Sequence, residues 1–406
     1  MKKVSKIFLA IGIIEIVSGI VVYPSLAVVW RSQPIINYYL PMEQYSYFAF
    51  SLGVITIIIG KIITKKHKNF LNNLSLLFIV LSIIFLSDRL LLAKYGKGLW
   101  KYDAVLHYKQ RPNTVFTWGK NYNNKLIKIN SDGYHDDEFS LVKSKNEYRI
   151  FMLGNSITMG HGVTKEETFS SQLEKLPLTS KIKLNVFNLG VQGYSTEQEL
   201  EVLKREIEYE PNLIILEFCL NDITEPIAVN KEFGGTGFDY HMIYETGNKI
   251  IGYFINETGF GRLLYRIKFI NKISHERENE LKQINNLAIK PFSNKKLKKS
   301  WVITFNSIKK IKSISVQNNI PFIVLIFPYT FQLWHRDLQK PQEQIKSFLK
   351  SERIPYIDFT EIFEAKLLNR NTKNYYLDED HYTAIGHTVI ANEILDFLLT
   401  HNYLIK

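Results

Sequence analysis

One cysteine in 406 residues, Cys219, excludes a disulfide framework and any cysteine-rich metal site, and it leaves the redox compartment undetermined. No Gly-Lys-Ser/Thr follows a glycine-rich turn and no dinucleotide-type glycine spacing occurs, so Gly154, Gly160 and Gly162 do not form a phosphate-binding loop. Internal repeats and low-complexity linkers are missing as well. What the chain has is apolar mass: 46% hydrophobic and 13% aromatic residues, enough for a large core and more than one structural unit. The formal net charge of +12 is spread over scattered lysines accompanied by many Asn and Ile, the pattern of a solvated basic surface and not of a nucleic-acid partner.

Long hydrophobic runs are confined to the first hundred residues. Residues 7–29 can cross a hydrocarbon core of about 30 Å, and residues 45–63 and 70–87 approach that length. Lys2, Lys3 and Lys6, with Ser25-Leu26-Ala27 downstream, also fit a cleaved signal peptide, but the apolar part is too long for one, so a retained helix is expected. These lysines and Lys61, Lys65, Lys66 and Lys68 mark cytoplasmic ends, and the loop 31–44 carries one basic residue. Everything after the third run is therefore expected outside, although Arg89, Lys94, Lys97 and Lys101 blunt the asymmetry. Glu15 reads as a carboxylate facing a neighbouring helix, with an intramembrane functional role as the alternative. The expected organisation of this integral membrane protein is a transmembrane region of about three helices over 1–93, a connector over 94–146, and an extracytoplasmic α/β domain over 147–406 with an insertion at about 225–300.

That domain reads as alternating elements: strands at 148–153, 183–188, 213–218, 322–327 and 356–359, and helices at 168–176, from the Ser195-Thr196-Glu197-Gln198 capping pattern to about 208, at 301–318 and at 384–399. Such alternation implies a parallel sheet covered on both faces. Four polar clusters fall at strand ends or just before the last helix: Gly154-Asn155-Ser156, Gly190 to Gly193, Cys219-Leu220-Asn221-Asp222, and Asp378-Glu379-Asp380-His381. An open α/β sheet gathers such segments on one edge.

Acyl transfer needs an activated hydroxyl, a base, a group that orients the base, and donors for the oxyanion. Ser156 is the candidate nucleophile, His381 the base and Asp378 its orienting carboxylate. The Ser156 and Gly193 backbone N–H groups and the Asn221 side-chain amide are the candidate oxyanion donors. Taken singly, each cluster is also an ordinary turn, cap or loop; the set in order is what carries the reading. Asp380 is a second possible orienting group, expected to point away. His381 and His387 with nearby carboxylates suggest a metal, but the spacing is not that of a helical ligand pair. His161 is either a substrate contact or a loop histidine without a role, and Asp222 and Asp358 read as structural.

These blocks resemble those of the SGNH or GDSL-type hydrolases: Gly154-Asn155-Ser156 for the first, Gly193 for the second, Cys219-Leu220-Asn221-Asp222 for the third and Asp378-x-x-His381 for the fifth. The resemblance spans about 148–399 apart from the middle insertion, and Ile129 to Tyr134 is similar to the lead-in of membrane-anchored members. It implies a three-layer α/β/α sheet, a Ser/His/Asp triad, and esterase or acyltransferase activity without a cofactor or metal. Asn155 stands where the family has an acidic residue, and Cys219 where it has glycine. The expected reaction is removal of a small acyl group, such as O-acetyl, from an extracytoplasmic carbohydrate or envelope substrate. Alternatives are an O-acyltransferase fed by a membrane acyl-donor protein, a lipid esterase, and a non-catalytic binding module.

Overall fold

The computed structural model describes residues 68–95, 99–118, 122, 124–178, 182–224, 226, 253–255, 257–367 and 370–404. The first two expected spans lie outside these residues. The chain divides into two compact units, Met1–Leu99 with Thr114–Phe116 and Ile250–Lys268, and the remainder.

In the first unit, helix α1 (Lys68–Tyr95) contains the third expected span. Among its described side chains, Leu77, Val80, Leu81, Ile83, Ile84, Leu86 and Leu90 are exposed. Among the described residues no helix is long and apolar enough to cross a membrane, and the side chains of α1 are described only from Leu77 to Ala93, so the expectation of about three spans gains no support here. Near the end of α1, Asp88 Oδ1 accepts the Phe260 backbone N–H at 3.0 Å. Gly259 is required by this close approach, since a Cβ there would lie 1.9 Å from the Asp88 carbonyl oxygen.

The second unit is built on a five-stranded parallel sheet. Hairpin β1 (Trp100–Asp103) and β2 (His107–Gln110) precedes it. The sheet strands are β3 (Glu147–Gly154), β4 (Lys183–Gly190), β5 (Leu213–Phe218), β6 (Phe322–Ile326) and β7 (Tyr356–Asp358), in spatial order β4-β3-β5-β6-β7. Register pairs Gly154 with Gly190, Leu153 with Leu216, and Phe218 with Ile326. All of β3, β5 and β6 is buried, because a parallel strand is covered on both faces and reads as a continuous apolar run.

The chain leaves β3 for β4 on one side and then crosses back to β5 on the other. Right-handed crossovers moving in opposite directions put α3 (Phe169–Lys175) and α4 (Thr196–Glu206) on opposite faces. Helix α10 (Ala384–Thr400) packs beside α3 and α7 (Lys295–Gln317) beside α4, giving the expected three layers. The other described helices are α2 (Ser156–Met159), α5 (Asn221–Thr224), α6 (Gly259–Ile289), α8 (Lys340–Ser351) and α9 (Phe359–Lys366). Reversal of strand order at β3 and β5 opens a crevice at their carboxyl ends, where open α/β sheets bind ligands. Ser156 follows β3 and Asn221 follows β5, so the two flank that crevice.

Sequence-derived boundaries differ from the observed ones in a few places. Helix α7 starts at Lys295, six residues before the expected 301, because Asn294 caps it by accepting the Leu297 N–H at 2.9 Å. Helix α9 was not expected; Asp358 caps it through the Thr360 N–H. Of the expected insertion at 225–300, residues 227–252 lie outside the described set, and the described end is helical, with Ile284, Leu287 and Ala288 buried.

Candidate active site

Strand β3 ends where the backbone must turn sharply beneath its neighbours. A Cβ on Gly154 would lie 2.1 Å from Thr158 Oγ1 and 2.4 Å from Glu217 Oε2, so only glycine fits. Asn155 caps the short helix α2, its Oδ1 accepting the Ile157 N–H at 3.0 Å. Ser156 is the first residue of that helix, so its backbone N–H has no intrahelical carbonyl to bond and is free to meet an anion.

The far end of the chain brings the candidate base. His381 Nε2 lies 2.8 Å from Ser156 Oγ, and His381 Nδ1 lies 2.8 Å from Asp378 Oδ2 and 3.0 Å from Oδ1. This network assigns the Nδ1–H tautomer, with Nε2 accepting the serine proton. Asp378 Oδ1 also accepts the backbone N–H groups of Asp380 and His381 at 3.1 and 2.9 Å. Burial opposes ionisation of Asp378, but the adjacent His381 charge and these hydrogen bonds hold its carboxyl well below the usual range. It is the carboxylate that an imidazolium at His381 requires.

Asp380 differs from its expected role. Its Oδ1 lies 3.6 Å from His381 Nδ1 and its side chain is buried, so the tight turn brings both carboxylates toward the ring. Asp378 is nonetheless nearer and makes the hydrogen bond. Asp378, Asp380 and His381 offer ligand atoms within 4.8 Å of one another, a spacing a cation could use, but the ring nitrogen facing the carboxylates is the one that bonds Asp378. His387 stands apart from this chemistry: its Nδ1 accepts the Phe169 N–H at 3.1 Å, and burial pushes its imidazole down to about 3, leaving it neutral in the core.

The expected oxyanion donors are placed by two devices. Gly193 has φ +75°, and a Cβ there would meet Tyr108 Oη at 2.7 Å, so conformation and space both demand glycine. Tyr108 pins that turn by donating to the Gln192 carbonyl at 3.0 Å, while Tyr194 Oη donates to the Tyr108 carbonyl. On the other side, Asn155 Nδ2 donates to Asn221 Oδ1 at 3.0 Å. The carbonyl end of the Asn221 amide is thereby turned to Asn155, which leaves Nδ2 as the end available to an oxyanion. Asn155 thus caps α2 with one atom and orients Asn221 with the other. Asn221→Ala is expected to lower kcat by about 10²- to 10³-fold with little change in KM, measured on an activated ester.

Two buried carboxylates, not assigned to the site from sequence, brace it. Glu217 Oε2 accepts the Asn155 N–H at 2.9 Å, the Thr158 N–H at 3.2 Å and the Thr158 hydroxyl at 2.9 Å, tying β5 to the turn that carries Ser156. Asp222 accepts from the Thr196 N–H and hydroxyl through Oδ1, each at 2.8 Å, and from the Cys219 N–H through Oδ2 at 2.9 Å. The Cys219 side chain is itself buried.

Burial, with the charge of Asp222 second, pushes Glu217 up to about 8, and burial pushes Asp222 up to about 7. Each carboxyl therefore keeps its proton to a higher pH than an exposed one would. An unfolded chain releases such protons near pH 4 to 5, so between there and pH 8 the folded state binds more protons. Folding stability therefore falls as pH rises through this window and levels off above it. Glu217→Gln keeps the acceptor oxygen but cannot ionise. Urea unfolding at pH 5 and pH 8 should show a wild-type loss larger than the variant's by roughly 3 kcal/mol, taking about 1.4 kcal/mol per pH unit; equal losses would contradict the buried proton.

The segment expected as a connector also serves the site. Asn130 Oδ1 accepts the backbone N–H groups of Asp132, Gly133 and Tyr134, folding the Ile129-to-Tyr134 lead-in into a compact turn. That turn presents His135, whose Nδ1–H donates to the Met159 carbonyl at 2.8 Å and whose imidazole is pushed down to about 4 by burial. Gln110 Nε2 meets Met159 Sδ at 2.9 Å, bracing α2 a second time.

No protein-family model matches the sequence, and no curated protein matches it. Solved structures do show similarity. A member of the lipolytic G-D-S-L family from Veillonella parvula is 16% identical, with 61% of this chain and 97% of that chain covered and a TM-score of 0.35. A GDSL-like lipase from Bacteroides thetaiotaomicron is 17% identical, covering 65% and 93% at 0.34, and the psychrotrophic esterase EstA from Pseudoalteromonas sp. is 12% identical, covering 62% and 97% at 0.36. The chain resembles SGNH/GDSL-type hydrolases. What it can do chemically rests on the geometry of its own side chains.

Proposed function

We propose that this chain is an SGNH/GDSL-type serine esterase that works through an acyl-enzyme. The observation that carries this is the continuous relay from Ser156 Oγ through His381 to Asp378, with both links at 2.8 Å. Ser156 Oγ attacks the ester carbonyl carbon while its proton passes to His381 Nε2. The carbonyl oxygen, now negative, meets the Ser156 and Gly193 N–H groups and Asn221 Nδ2. As the tetrahedral adduct collapses, the imidazolium returns the proton to the departing alcohol, leaving an ester on Ser156. Water then repeats the sequence and frees the acid.

The favoured substrate is an O-acetyl or similar small acyl ester on an extracytoplasmic carbohydrate or envelope polymer. Support comes from the apolar runs and lysine distribution of residues 1–93, which favour a membrane-embedded region with the sheet domain outside. Carbonate extraction and external protease treatment of intact cells test that placement: a carbonate-soluble or protease-shielded domain would count against it. For the reaction, the purified chain in detergent is given an acetylated oligosaccharide and the products are weighed. Free acetate with a deacetylated sugar is expected; acetyl groups moved onto an added acceptor sugar would show instead that a sugar hydroxyl replaces water, the transferase outcome.

A further inference from the structure

His161 lies on the short segment Gly160-His161-Gly162 that follows the nucleophile helix, and both flanking glycines have positive φ, +84° and +81°. Their space is limited too: a Cβ on Gly160 would lie 2.5 Å from Thr168 Cγ2, and one on Gly162 would lie 2.6 Å from Leu377 Cδ1 and 2.7 Å from Tyr122 Cδ1. Two left-handed turns in three residues project one imidazole, and the His161 backbone N–H is anchored to the Ser156 carbonyl at 2.9 Å. That imidazole stacks on His381, centroids 4.2 Å apart and planes 28° from parallel. Trp118 covers His161 with centroids 4.1 Å apart, and Tyr122 meets it edge-on at 5.1 Å with a 3.2 Å hydrogen bond between Tyr122 Oη and His161 Nε2.

We propose that His161 is a positioning residue for the catalytic pair: its ring, gripped by Trp118 and Tyr122, holds the His381 imidazole in line with Ser156 and lends a π face to the imidazolium formed during acyl transfer. This rests on the Ser156–His381 esterase reading. An aromatic face stabilises a cation lying over it, most where water is excluded. Because the charge on His381 appears only as the serine proton transfers, the gain falls on the transition state and shows in kcat, with substrate affinity little altered.

The test uses the full-length chain in detergent, a chromogenic acetyl ester, and five proteins: wild type, Ser156→Ala, His161→Ala, His161→Leu and His161→Phe. His161→Ala is expected to lower kcat about tenfold with KM changed less than about twofold, the scale of one ring over a partly desolvated cation. His161→Leu fills the same space without a π face, so it should show the same loss and serves if the alanine variant does not fold. His161→Phe should recover most of the rate. Wild-type kcat in the alanine and leucine variants, a rise in KM at unchanged kcat, or a phenylalanine variant as slow as leucine would each overturn the proposal; the last would mean that the imidazole nitrogens, and not the ring face, are what His161 supplies. Ser156→Ala separates the two levels. If it retains activity, the esterase reading fails; if it is inactive while His161→Leu is unimpaired, only the role of His161 fails.

Discussion

Ser156→Ala is expected to lower kcat on an activated acetyl ester by about 10⁶-fold, the scale seen when a triad nucleophile is deleted. The size follows from the roles the geometry gives to one oxygen. In the proposed mechanism Ser156 Oγ forms the covalent bond, and its proton is the one that His381 Nε2, 2.8 Å away, would receive. Without the hydroxyl, only the oxyanion donors and the binding of the ester remain, and these alone leave a modest acceleration over water. The fold should be indifferent to the change: the turn is held by Asn155 and by the Glu217 carboxyl, whose partners are the Asn155 and Thr158 N–H groups and the Thr158 hydroxyl. Unchanged thermal unfolding together with lost activity is therefore the expected pair, checked by calorimetry and a stopped assay on one preparation. A variant within tenfold of wild type would mean that another group attacks.

Asp378→Asn is expected to cost about 10⁴-fold in kcat, with the structure again intact. Asp378 Oδ1 accepts two backbone N–H groups, so an asparagine keeps its carbonyl oxygen there and puts its NH₂ where Oδ2 now faces His381 Nδ1. A donor at that position forces the other imidazole tautomer, with the proton on Nε2, and the ring can no longer accept from Ser156. Asp380 offers a partial remedy, since its Oδ1 lies 3.6 Å from the same nitrogen. Adding Asp380→Asn to Asp378→Asn should therefore lower the residual rate further, whereas Asp380→Asn alone should cost far less than Asp378→Asn. If the two single variants are equally impaired, the carboxylates share the orienting role.

Much of the scaffold was legible because burial leaves a plain mark. The run Leu213–Phe218 reads as a strand from its apolar residues and is one, and the ends of β3 and β5 carry the two blocks that meet across the crevice. Glu217 sits inside that same run, and nothing in sequence distinguishes it, because a strand covered on both faces has no alternation to show which way a carboxylate points. The start of α7 departs from the expected 301 for the opposite reason: Lys295, Lys296, Lys298 and Lys299 give no apolar period, while a single buried Leu297 and the Asn294 cap are all that the first turn needs. Tyr108 acts on the Gln192 turn across 84 positions from a four-residue strand, too short to give a periodic signal. The Gly160-His161-Gly162 segment was visible as glycines in a loop, yet only the stacked rings show what the turns are for.

The most direct test of the account is the mass of the intact protein, quenched milliseconds after mixing with a chromogenic acetyl ester. The expected result is a burst of chromophore close to one per protein, with one acetyl group located by peptide mapping on Ser156 and absent from Ser156→Ala. Steady ester hydrolysis with no acetylated protein, or an acetyl group carried by any residue other than Ser156, would contradict it.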